Sequence, residues 1–296
     1  MQLLTDTEVE KHLTAPLAVE AARRAVRDAS AGRLAGPPRL RADVGTTGLV
    51  FTAGGYQQGP LGFRVYGLWS GSSDQAVLVW GGSGELRGVI VGRELGIRRT
   101  GALGAVAVDA LARAEATRVG VIGSGAQAWA QLWAMTAVRT ITHVSIFSPT
   151  PAHRSAFAAR AQTQLGLRAE PVDDAARAAR GADILVIATR SLEPVVDPSW
   201  VERGAHVNTI GPKTLSGHEL PAEVAERASL VVSDAPHQAS AYDEPFFTPR
   251  RLVHLGEVIE TGGRTGDDEV TLYCSTGLAG SEVVIADALL AAVSRG

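Results

Sequence analysis

The sequence has very little cysteine and very little lysine. Cys274 is the only cysteine among 296 residues, which excludes an internal disulfide and a zinc site built from cysteines. Lys11 and Lys213 are the only lysines, because arginine supplies almost all of the positive charge. An arginine where lysine is expected can therefore reflect composition, whereas a lysine that is present is more informative.

The chain also lacks an excess of positive charge and a long hydrophobic run. Its net charge of -3 argues against a surface for nucleic acid or for an anionic membrane. No apolar stretch approaches the length of a membrane span, and the first residues lack the order of a signal peptide. With 45% hydrophobic and 20% charged residues, we expect a globular cytoplasmic protein that is long enough for two domains.

A glycine-rich turn between a β-branched run and a helical pattern is the most informative stretch. Its residues are, in order, Gly123, Ser124, Gly125, Ala126, Gln127 and Ala128. Gly123 permits the tight turn, Gly125 lets the backbone approach a pyrophosphate, and Ala128 lets the helix pack close to the strand. The unpaired backbone N–H groups at the start of the helix would then donate hydrogen bonds to the phosphates. The pattern predicts a dinucleotide-binding unit, and the alternative is an ordinary glycine turn.

The residues after the next strand bear on which dinucleotide binds. An NAD site commonly has a carboxylate there, but this chain has Ser148 and Thr150, followed by Arg154 in the next helix. Hydroxyls and a guanidinium suit a 2′-phosphate, so NADP is favoured over NAD. In the alternative interpretation, Arg154 only caps a solvated helix face.

Before the glycine turn, the pattern predicts helices and then antiparallel strands, a mixed α+β segment. The predicted elements are a helix from Thr5 or Asp6, a helix from Pro16 to near Gly32, strands at 49–51, 63–69, 76–80 and 86–91, and a helix at 101–113.

After the turn, strands alternate with helices, as in a parallel sheet with covered faces. The predicted strands are 144–147, 167–172, 184–188, 206–210 and 230–233, and the predicted helices are 151–164, 173–180, 198–203 and 220–227. We expect the last strand, 270–273, and the last helix, 282–293, to return to the first domain.

Several stretches, in order along nearly the whole chain, resemble the ornithine cyclodeaminase and mu-crystallin family. They are Pro37-Pro38-Arg39, 61–65, 98–102, the glycine turn with Ala126-Gln127-Ala128, 188–191 before Pro194-Val195, 204–211, 217–220 and 275–279. The resemblance implies an α/β fold in which a Rossmann-type doubly wound parallel sheet, residues 115–267, is inserted in a mixed α+β domain. That domain, residues 1–114 plus 268–296, would bind substrate and form a homodimer.

The resemblance also implies roles for individual residues. Arg39 looks like a ligand of the substrate carboxylate, Arg64 stands where a catalytic, substrate-contacting lysine is usual, and Thr276 would touch the substrate. A planar guanidinium suits carboxylate binding, which agrees with the first two roles. Arg99 and Thr100 match a pair beside cofactor and substrate. The further implied cofactor contacts are Ala126, Gln127, Ser148, Thr189, Asn208, Thr209 and Ser275.

Two departures from the family pattern bear on the reaction. Lys213 occupies the position of an aspartate that serves as acid or base in the cyclodeaminases, and Arg64 replaces the lysine. Cyclisation of ornithine needs proton transfers by a group near neutral pKa, and an arginine stays protonated. The departures therefore disfavour ornithine cyclodeaminase activity.

We expect an NAD(P)H-dependent imine or ketimine reductase, or an amino acid dehydrogenase acting reductively, on a small amino or imino acid. Arg39 and Arg64 would hold the carboxylate, and Lys213 would orient substrate or donate a proton. The cationic residues favour an acidic substrate, with dicarboxylates among the candidates. The alternatives are an ornithine cyclodeaminase and a catalytically decayed NADP-binding protein.

Two polar residues are expected to be structural. We expect His206, inside a strand, to pack or to flank the cofactor, since no second ligand lies at zinc spacing. Glu219 is expected to cap the helix that follows it. No metal site is predicted.

Overall fold

A computed structural model describes residues 1–69, 74–239, 244–248 and 251–295. Contacts divide the chain into two compact units. We call Met1–Arg99 with Gly277–Gly296 the terminal unit, and Thr100–Thr276 the central unit.

The described elements are strands, helices and the short 3-10 turn Pro198–Trp200. In chain order they are β1 Gln2–Leu4, α1 Asp6–His12, α2 Ala15–Ser30, β2 Leu40–Val44, β3 Thr47–Gly55, β4 Leu61–Gly67, β5 Gln75–Trp80, β6 Leu86–Val91, α3 Glu94–Leu111, β7 Arg118–Ile122, α4 Ala126–Met135, β8 His143–Phe147, α5 Pro151–Leu165, β9 Ala169–Pro171, α6 Ala175–Ala179, β10 Ile184–Ile187, the 3-10 turn Pro198–Trp200, β11 His206–Thr209, β12 Lys213–Thr214, β13 Gly217–His218, α7 Ala222–Arg227, β14 Leu230–Ser233, α8 Pro236–Ala239, β15 Val253–His254, α9 Leu255–Thr261, β16 Thr271–Cys274 and α10 Ser281–Val293.

The terminal unit contains a six-stranded sheet in the order β1-β6-β5-β4-β3-β2. The strands from β2 to β6 are antiparallel, as the sequence predicts, and β1 runs parallel to β6. The sequence analysis missed the two edge strands, because β1 has only three residues and β2 is exposed along its whole length. Helix α10 packs against α2 and against the inner face of the sheet, where Val50, Val77, Val79 and Ile90 are buried.

Helix α3 begins at Glu94, earlier than the predicted start at Gly101. Residues 92 and 93 offer no side chain of the kind that caps a helix. The carboxylate of Asp6 accepts hydrogen bonds from the backbone N–H groups of Arg93 (3.1 Å) and Glu94 (2.8 Å) instead. The helix is therefore capped by a residue distant in sequence, which a local pattern does not reveal.

The central unit contains an eight-stranded sheet in the order β15-β14-β16-β11-β10-β7-β8-β9, and every pairing in it is parallel. Strands such as β10 are apolar and buried throughout, as expected of strands covered on both faces. From β7 the chain builds outward through β8 and β9, and then crosses to β10 on the other side. Ligands of such sheets bind beyond the carboxyl ends of the strands at this switch point. The predicted Rossmann-type sheet is confirmed.

Strand β16 differs from the expectation that it returns to the first domain. It pairs with β11 and β14 inside the parallel sheet, and all four of its residues are buried. Only the chain after Thr276 belongs to the terminal unit. The hairpin of β12 and β13 and the elements α8, β15 and α9 were not predicted from the sequence, because they are too short for a clear periodicity. A 3-10 turn replaces the predicted helix 198–203.

A buried polar network connects β11 and β16 with the helices of the central unit. The ring of His206 contacts the Thr271 hydroxyl (2.9 Å) and the Asn208 side-chain oxygen (2.8 Å). Asn208 donates to the side chain of Gln131 (2.9 Å), which in turn donates to the carbonyl of Thr100 (3.0 Å). Burial lowers the pKa of His206 to about 3, despite the hydrogen bond that the ring donates to the Asn208 side-chain oxygen. His206 is therefore a neutral, packed side chain, in agreement with its position in a strand.

Within the described residues, none of the helices combines the length and the apolar composition that crossing a membrane requires.

We predict that His206 makes the protein less stable in mild acid. Its pKa is about 3 in the folded chain and near the ordinary value of 6.5 in the unfolded chain. Its contribution to stability is therefore complete above pH 6.5 and declines as the pH falls towards 3. The contribution declines by about 1.4 kcal/mol per pH unit. Urea unfolding at pH 7.5, 6.0 and 5.0 should show a shallower pH slope for His206→Gln than for the wild type. The exposed His153→Gln variant is the control, and equal slopes in all three proteins would contradict the assignment.

Candidate active site

Two arginines of the terminal unit, Arg64 and Arg99, bind the buried carboxylate of Glu282, and Arg39 lies beside Gly277, which Arg99 also approaches. We call Arg39, Arg64, Arg99 and Glu282 the arginine cluster. Arg64 pairs in register with Thr52 and Val77, which places it on the sheet face that α10 covers. Its Nη1 donates to Glu282 Oε1 at 2.8 Å. Arg99 Nη2 donates to the same oxygen.

Arg39 contacts Gly277, in the segment that precedes α10. Its Nη2 donates to the carbonyl of Gly277 at 3.4 Å. Gly277 has a φ of +86°, and a Cβ there would lie 2.6 Å from Arg39 Nη2 and 3.5 Å from Arg99 Nη1. Glycine is thus required both by the backbone conformation and by the approach of the guanidiniums. Arg39 is exposed, whereas Arg99 is buried.

The cluster is strongly cationic. Burial by itself would raise the pKa of Glu282, but the guanidiniums of Arg99 and Arg64 outweigh it and hold the pKa at about 2. Burial lowers the pKa of Arg64, against the effect of Glu282. The Nε atoms of Arg64 and Arg99 are buried without a hydrogen-bond partner. Buried donors of this kind are costly, and an acceptor such as an anion or an ordered water would satisfy them.

In the central unit, the glycine turn has the geometry of a phosphate cradle. Gly123 has a φ of +113°, and a Cβ there would lie 2.3 Å from the carbonyl oxygen of Ala188. Gly125 precedes α4, offers no side-chain cap, and has open space where a Cβ would be. The side-chain oxygen of Gln127 is buried and has no partner. An uncapped helix start beside open space fits a pyrophosphate.

The predicted ribose-end residues lie beyond the carboxyl end of β8. The hydroxyls of Ser124 and Ser148 are 3.0 Å apart, which links this strand end to the glycine turn. Arg154 Nη1 donates to the Ser148 carbonyl at 2.9 Å, and its guanidinium lies 5.9 Å from the centre of the Phe147 ring. Thr150 is the N-cap residue of α5 and is exposed. Arg154 therefore contacts the end of β8.

Glu219 does not cap the helix that follows it, so that expectation is wrong. Its buried carboxylate accepts five hydrogen bonds at the carboxyl ends of β10 and β11. Oε2 accepts from the backbone and hydroxyl of Thr189, and Oε1 accepts from the Thr209 hydroxyl and from the N–H groups of Ile210 and Gly211. The loops after both strands are consequently held by one side chain.

Lys213 is buried, with 6% of its surface exposed. Its Nζ donates to the carbonyl of Ile210 at 2.7 Å and to that of Gly211. It lines a small cleft of the central unit together with Cys274 and Thr276. Burial raises the pKa of Cys274 to about 12, so the thiol stays protonated and unreactive.

The other predicted site residues of the central unit are also engaged within it. The Asn208 side chain belongs to the His206 network, and Ser275 donates its N–H to the Thr209 carbonyl at 3.2 Å. Thr276 donates its N–H to Asp234 at 2.8 Å and its hydroxyl to the Ala235 carbonyl at 2.9 Å. No cluster of three or more potential metal ligands occurs among the described residues.

Sequence reasoning missed Glu282 and misassigned Glu219. A signal for Glu282 was present, because it is one of only two charged residues in the otherwise apolar α10. A carboxylate in such a helix needs a cationic partner when it is buried. No local signal identifies the donors to Glu219, since they come from two strand ends that only the sheet brings together.

A family model described as the ornithine cyclodeaminase/mu-crystallin family matches residues 1–295. The chain belongs to this family. The resemblance expected from the sequence motifs is thereby confirmed.

Individual members of the family match over shorter stretches. An alanine dehydrogenase of Archaeoglobus fulgidus is 33% identical over 198 residues, which are 64% of this chain and 60% of the relative. A delta(1)-pyrroline-2-carboxylate reductase of Bacillus cereus is 34% identical over 215 residues, which are 69% of this chain and 66% of the relative. The chain therefore spans less than two thirds of the length of either enzyme in these alignments.

The match is complete at the level of the fold. A solved structure of delta(1)-pyrroline-2-carboxylate reductase from Thermococcus litoralis, in complex with NADH and L-proline, has a TM-score of 0.88 and 25% identity. The superposition covers 100% of this chain and 98% of the chain in the Thermococcus litoralis structure.

We predict that Glu219→Gln destabilises the protein, because an amide would direct a donor at groups that are themselves donors. At least one buried N–H group would lose its acceptor, and the free energy of unfolding should fall by about 3 kcal/mol. Urea denaturation measures the effect. Glu223→Gln on α7 is the matched control, since Glu223 is exposed and should change stability by less than about 0.5 kcal/mol. Equal stability of the two variants would refute the role of Glu219.

Proposed function

We propose that the protein is an NAD(P)H-dependent reductase of a C=N bond next to a carboxylate, an imine or ketimine reductase. A closely related possibility is an amino acid dehydrogenase acting reductively. The observation that carries the proposal is the arginine cluster with its two buried, unpartnered Nε donors. A carboxylate satisfies such guanidiniums by charge and by planar geometry.

The relatives support this chemistry. The Bacillus cereus relative reduces pyrroline-2-carboxylate by its name, and the Thermococcus litoralis structure contains NADH and L-proline. Proline is an amino acid whose nitrogen is in a ring, and the corresponding imine carries the same carboxylate. We therefore infer a small amino or imino acid as the substrate of this chain.

The proposed cofactor site is the turn Gly123–Gly125 with the start of α4. The turn and the open helix start would bind the pyrophosphate, while Ser148 and Arg154 would bind the ribose end. When bound, the nicotinamide would supply the hydride. Absence of a carboxylate after β8, together with the guanidinium of Arg154, supports NADP over NAD. Thr100, Thr150, Thr189, Asn208, Thr209 and Ser275 remain predicted contacts.

The proposed substrate roles follow the chemistry of the side chains. Arg39, Arg64 and Arg99 would bind the carboxylate, and Arg64 and Lys213 remain the predicted catalytic residues, with Thr276 as a substrate contact. Lys213 can donate a proton to the nitrogen that becomes an amine, since its Nζ has three donor hydrogens. Its two known acceptors are backbone carbonyls and not a carboxylate.

The charge of the site also bears on the substrate class. Three guanidiniums face one carboxylate in the cluster, so a second carboxylate on the substrate would be stabilised there. The cationic side chain of ornithine would be repelled for the same reason. We therefore favour acidic substrates over ornithine and disfavour the cyclodeaminase reaction. The cytoplasmic location stays a prediction.

We expect the protein to oxidise NADPH, followed by its absorbance, with pyrroline-2-carboxylate, piperideine-2-carboxylate or an acidic 2-oxo acid plus an amine. NADPH should give a higher kcat/KM than NADH. Lys213→Met should lower kcat by about a hundredfold, in the range of a lost proton donor. The matched control is Lys11→Met, which replaces the other lysine of the chain and should leave kcat unchanged.

Ornithine with NAD is the parallel assay. Ammonia release from ornithine, with no turnover of any imine, would replace the proposal by the cyclodeaminase alternative. Tight NADPH binding with no turnover of either class would favour the non-enzymatic alternative.

We also propose that the protein is a homodimer that associates through the outer face of the six-stranded sheet. Strand alternation places apolar residues on this face as well as on the face under α10. The outer sheet face comprises Leu40, Ala42, Val44, Leu49, Phe51, Ala53, Leu61, Phe63, Val65, Ala76, Leu78, Trp80, Val89 and Val91. Exposed apolar faces of this extent mark interaction surfaces, and a second copy offers an equally apolar partner.

Aromatic side chains form the centre of the outer sheet face. The Phe63 ring lies 6.1 Å from that of Phe51 and 5.9 Å from that of Trp80, between centroids. We predict that Phe63→Glu converts a dimer to a monomer, because a carboxylate would be buried without a partner. Light scattering after size-exclusion chromatography measures the mass. Leu192→Glu, at an exposed apolar residue of the central unit, should remain dimeric, and a dimeric Phe63→Glu would refute this interface.

A further inference from the structure

Glu282 occupies a position that is unfavourable for a carboxylate unless cationic or hydrogen-bonding partners compensate for its burial. It is only 2% exposed, in the first turn of a helix that is otherwise almost entirely apolar. A buried charge is costly to desolvate, and removal of one partner from such a pair is strongly destabilising. The same helix face could be filled by an apolar residue without that cost.

Arg64, which is half-buried, and Arg99, which is buried, use the same oxygen of this carboxylate. Arg64 comes from the middle of β4 and Arg99 from α3, and each donates one terminal nitrogen to Glu282 Oε1. The two guanidiniums repel each other, and the proximity of Arg99 contributes to the lowered pKa of Arg64, after the larger effect of burial. Only a shared anion holds two such groups side by side.

We propose that Glu282 is a positioning residue that holds Arg64 and Arg99 together through one carboxylate oxygen and sets the net charge of the substrate site. This inference rests on the proposed function, since it assigns the cluster to substrate binding. The arginines bind Oε1 of Glu282, and the Ser281 hydroxyl donates to Oε2 at 3.4 Å, so Glu282 would act on the substrate through the arginines.

The charge balance of the cluster gives the proposal its measurable consequence. Three guanidiniums and one carboxylate leave an excess of two positive charges, and removal of the carboxylate charge would leave three. An additional positive charge attracts a dianion more strongly than a monoanion. A residue with a purely structural role would change the binding of both anions by the same factor.

The experiment compares the binding of succinate and propionate by isothermal titration calorimetry, which requires neither cofactor nor turnover. The wild type is compared with Glu282→Gln, which removes the charge, and with Glu282→Asp, which keeps the charge but shortens the side chain. Asp287→Asn is the matched control, because Asp287 lies on the same helix and pairs with Arg87. Circular dichroism verifies the fold of each protein.

Glu282→Gln should raise the ratio of succinate affinity to propionate affinity by about tenfold, which corresponds to about 1.4 kcal/mol. Glu282→Asp should lower the affinity for both anions by about tenfold without a change in the ratio of the two affinities. The shorter aspartate side chain keeps the charge but can bind only one of the two arginines at hydrogen-bond distance. In the reductase assay, both variants should change KM more than kcat. Asp287→Asn should match the wild type in every measurement.

If Glu282→Gln does not fold, Glu282→Asp tests the positioning role through a raised KM at an unchanged kcat, because a purely structural loss would lower kcat as well. Unchanged affinities and an unchanged KM in the folded variants would overturn the proposal, and so would failure of both anions to bind the wild type. Failure of the proposed function has a different signature. In that case the wild type reduces no imine, while its succinate binding still depends on Glu282.

Discussion

The need of a buried carboxylate for donors governs both units of this protein. Glu282 is satisfied by two guanidiniums in the terminal unit, and Glu219 is satisfied by backbone and hydroxyl donors in the central unit. Neither residue is exposed enough for water to substitute for these donors. Glu282 thereby orients Arg64 and Arg99 within the terminal unit, and Glu219 holds the loops after β10 and β11 within the central unit.

The two carboxylates differ in the kind of donor they use. Glu219 binds neutral donors, most of which belong to the backbone or to hydroxyls close to it. It therefore holds the turn at Ile210 and Gly211, whose carbonyls accept the hydrogen bonds of Lys213. Glu282 binds two cations, so it neutralises only part of their charge and leaves the cluster able to attract an anion. One carboxylate therefore contributes rigidity, and the other contributes both geometry and electrostatics.

Much of the fold could be predicted from the sequence because it depends on local patterns. The glycine turn at 123–125, the alternating strands and helices after it, and Pro16 near the start of α2 each have a local physical cause. Prediction failed where the cause is distant in sequence. Asp6, near the start of the chain, caps α3, and β16 pairs with β11 and β14, which lie far from it in sequence.

The residue types of the candidate site were predicted from the sequence, where the resemblance implies roles for Arg39, Arg64, Arg99 and Lys213. By itself, the sequence determined the family, the Rossmann-type sheet and the cationic character of the site, because these follow from local spacing and composition. Only the tertiary structure decided which carboxylates organise these residues. Hydrogen bonds to Glu219 and Glu282 join elements far apart in the chain, and no periodicity within one element encodes such a pairing.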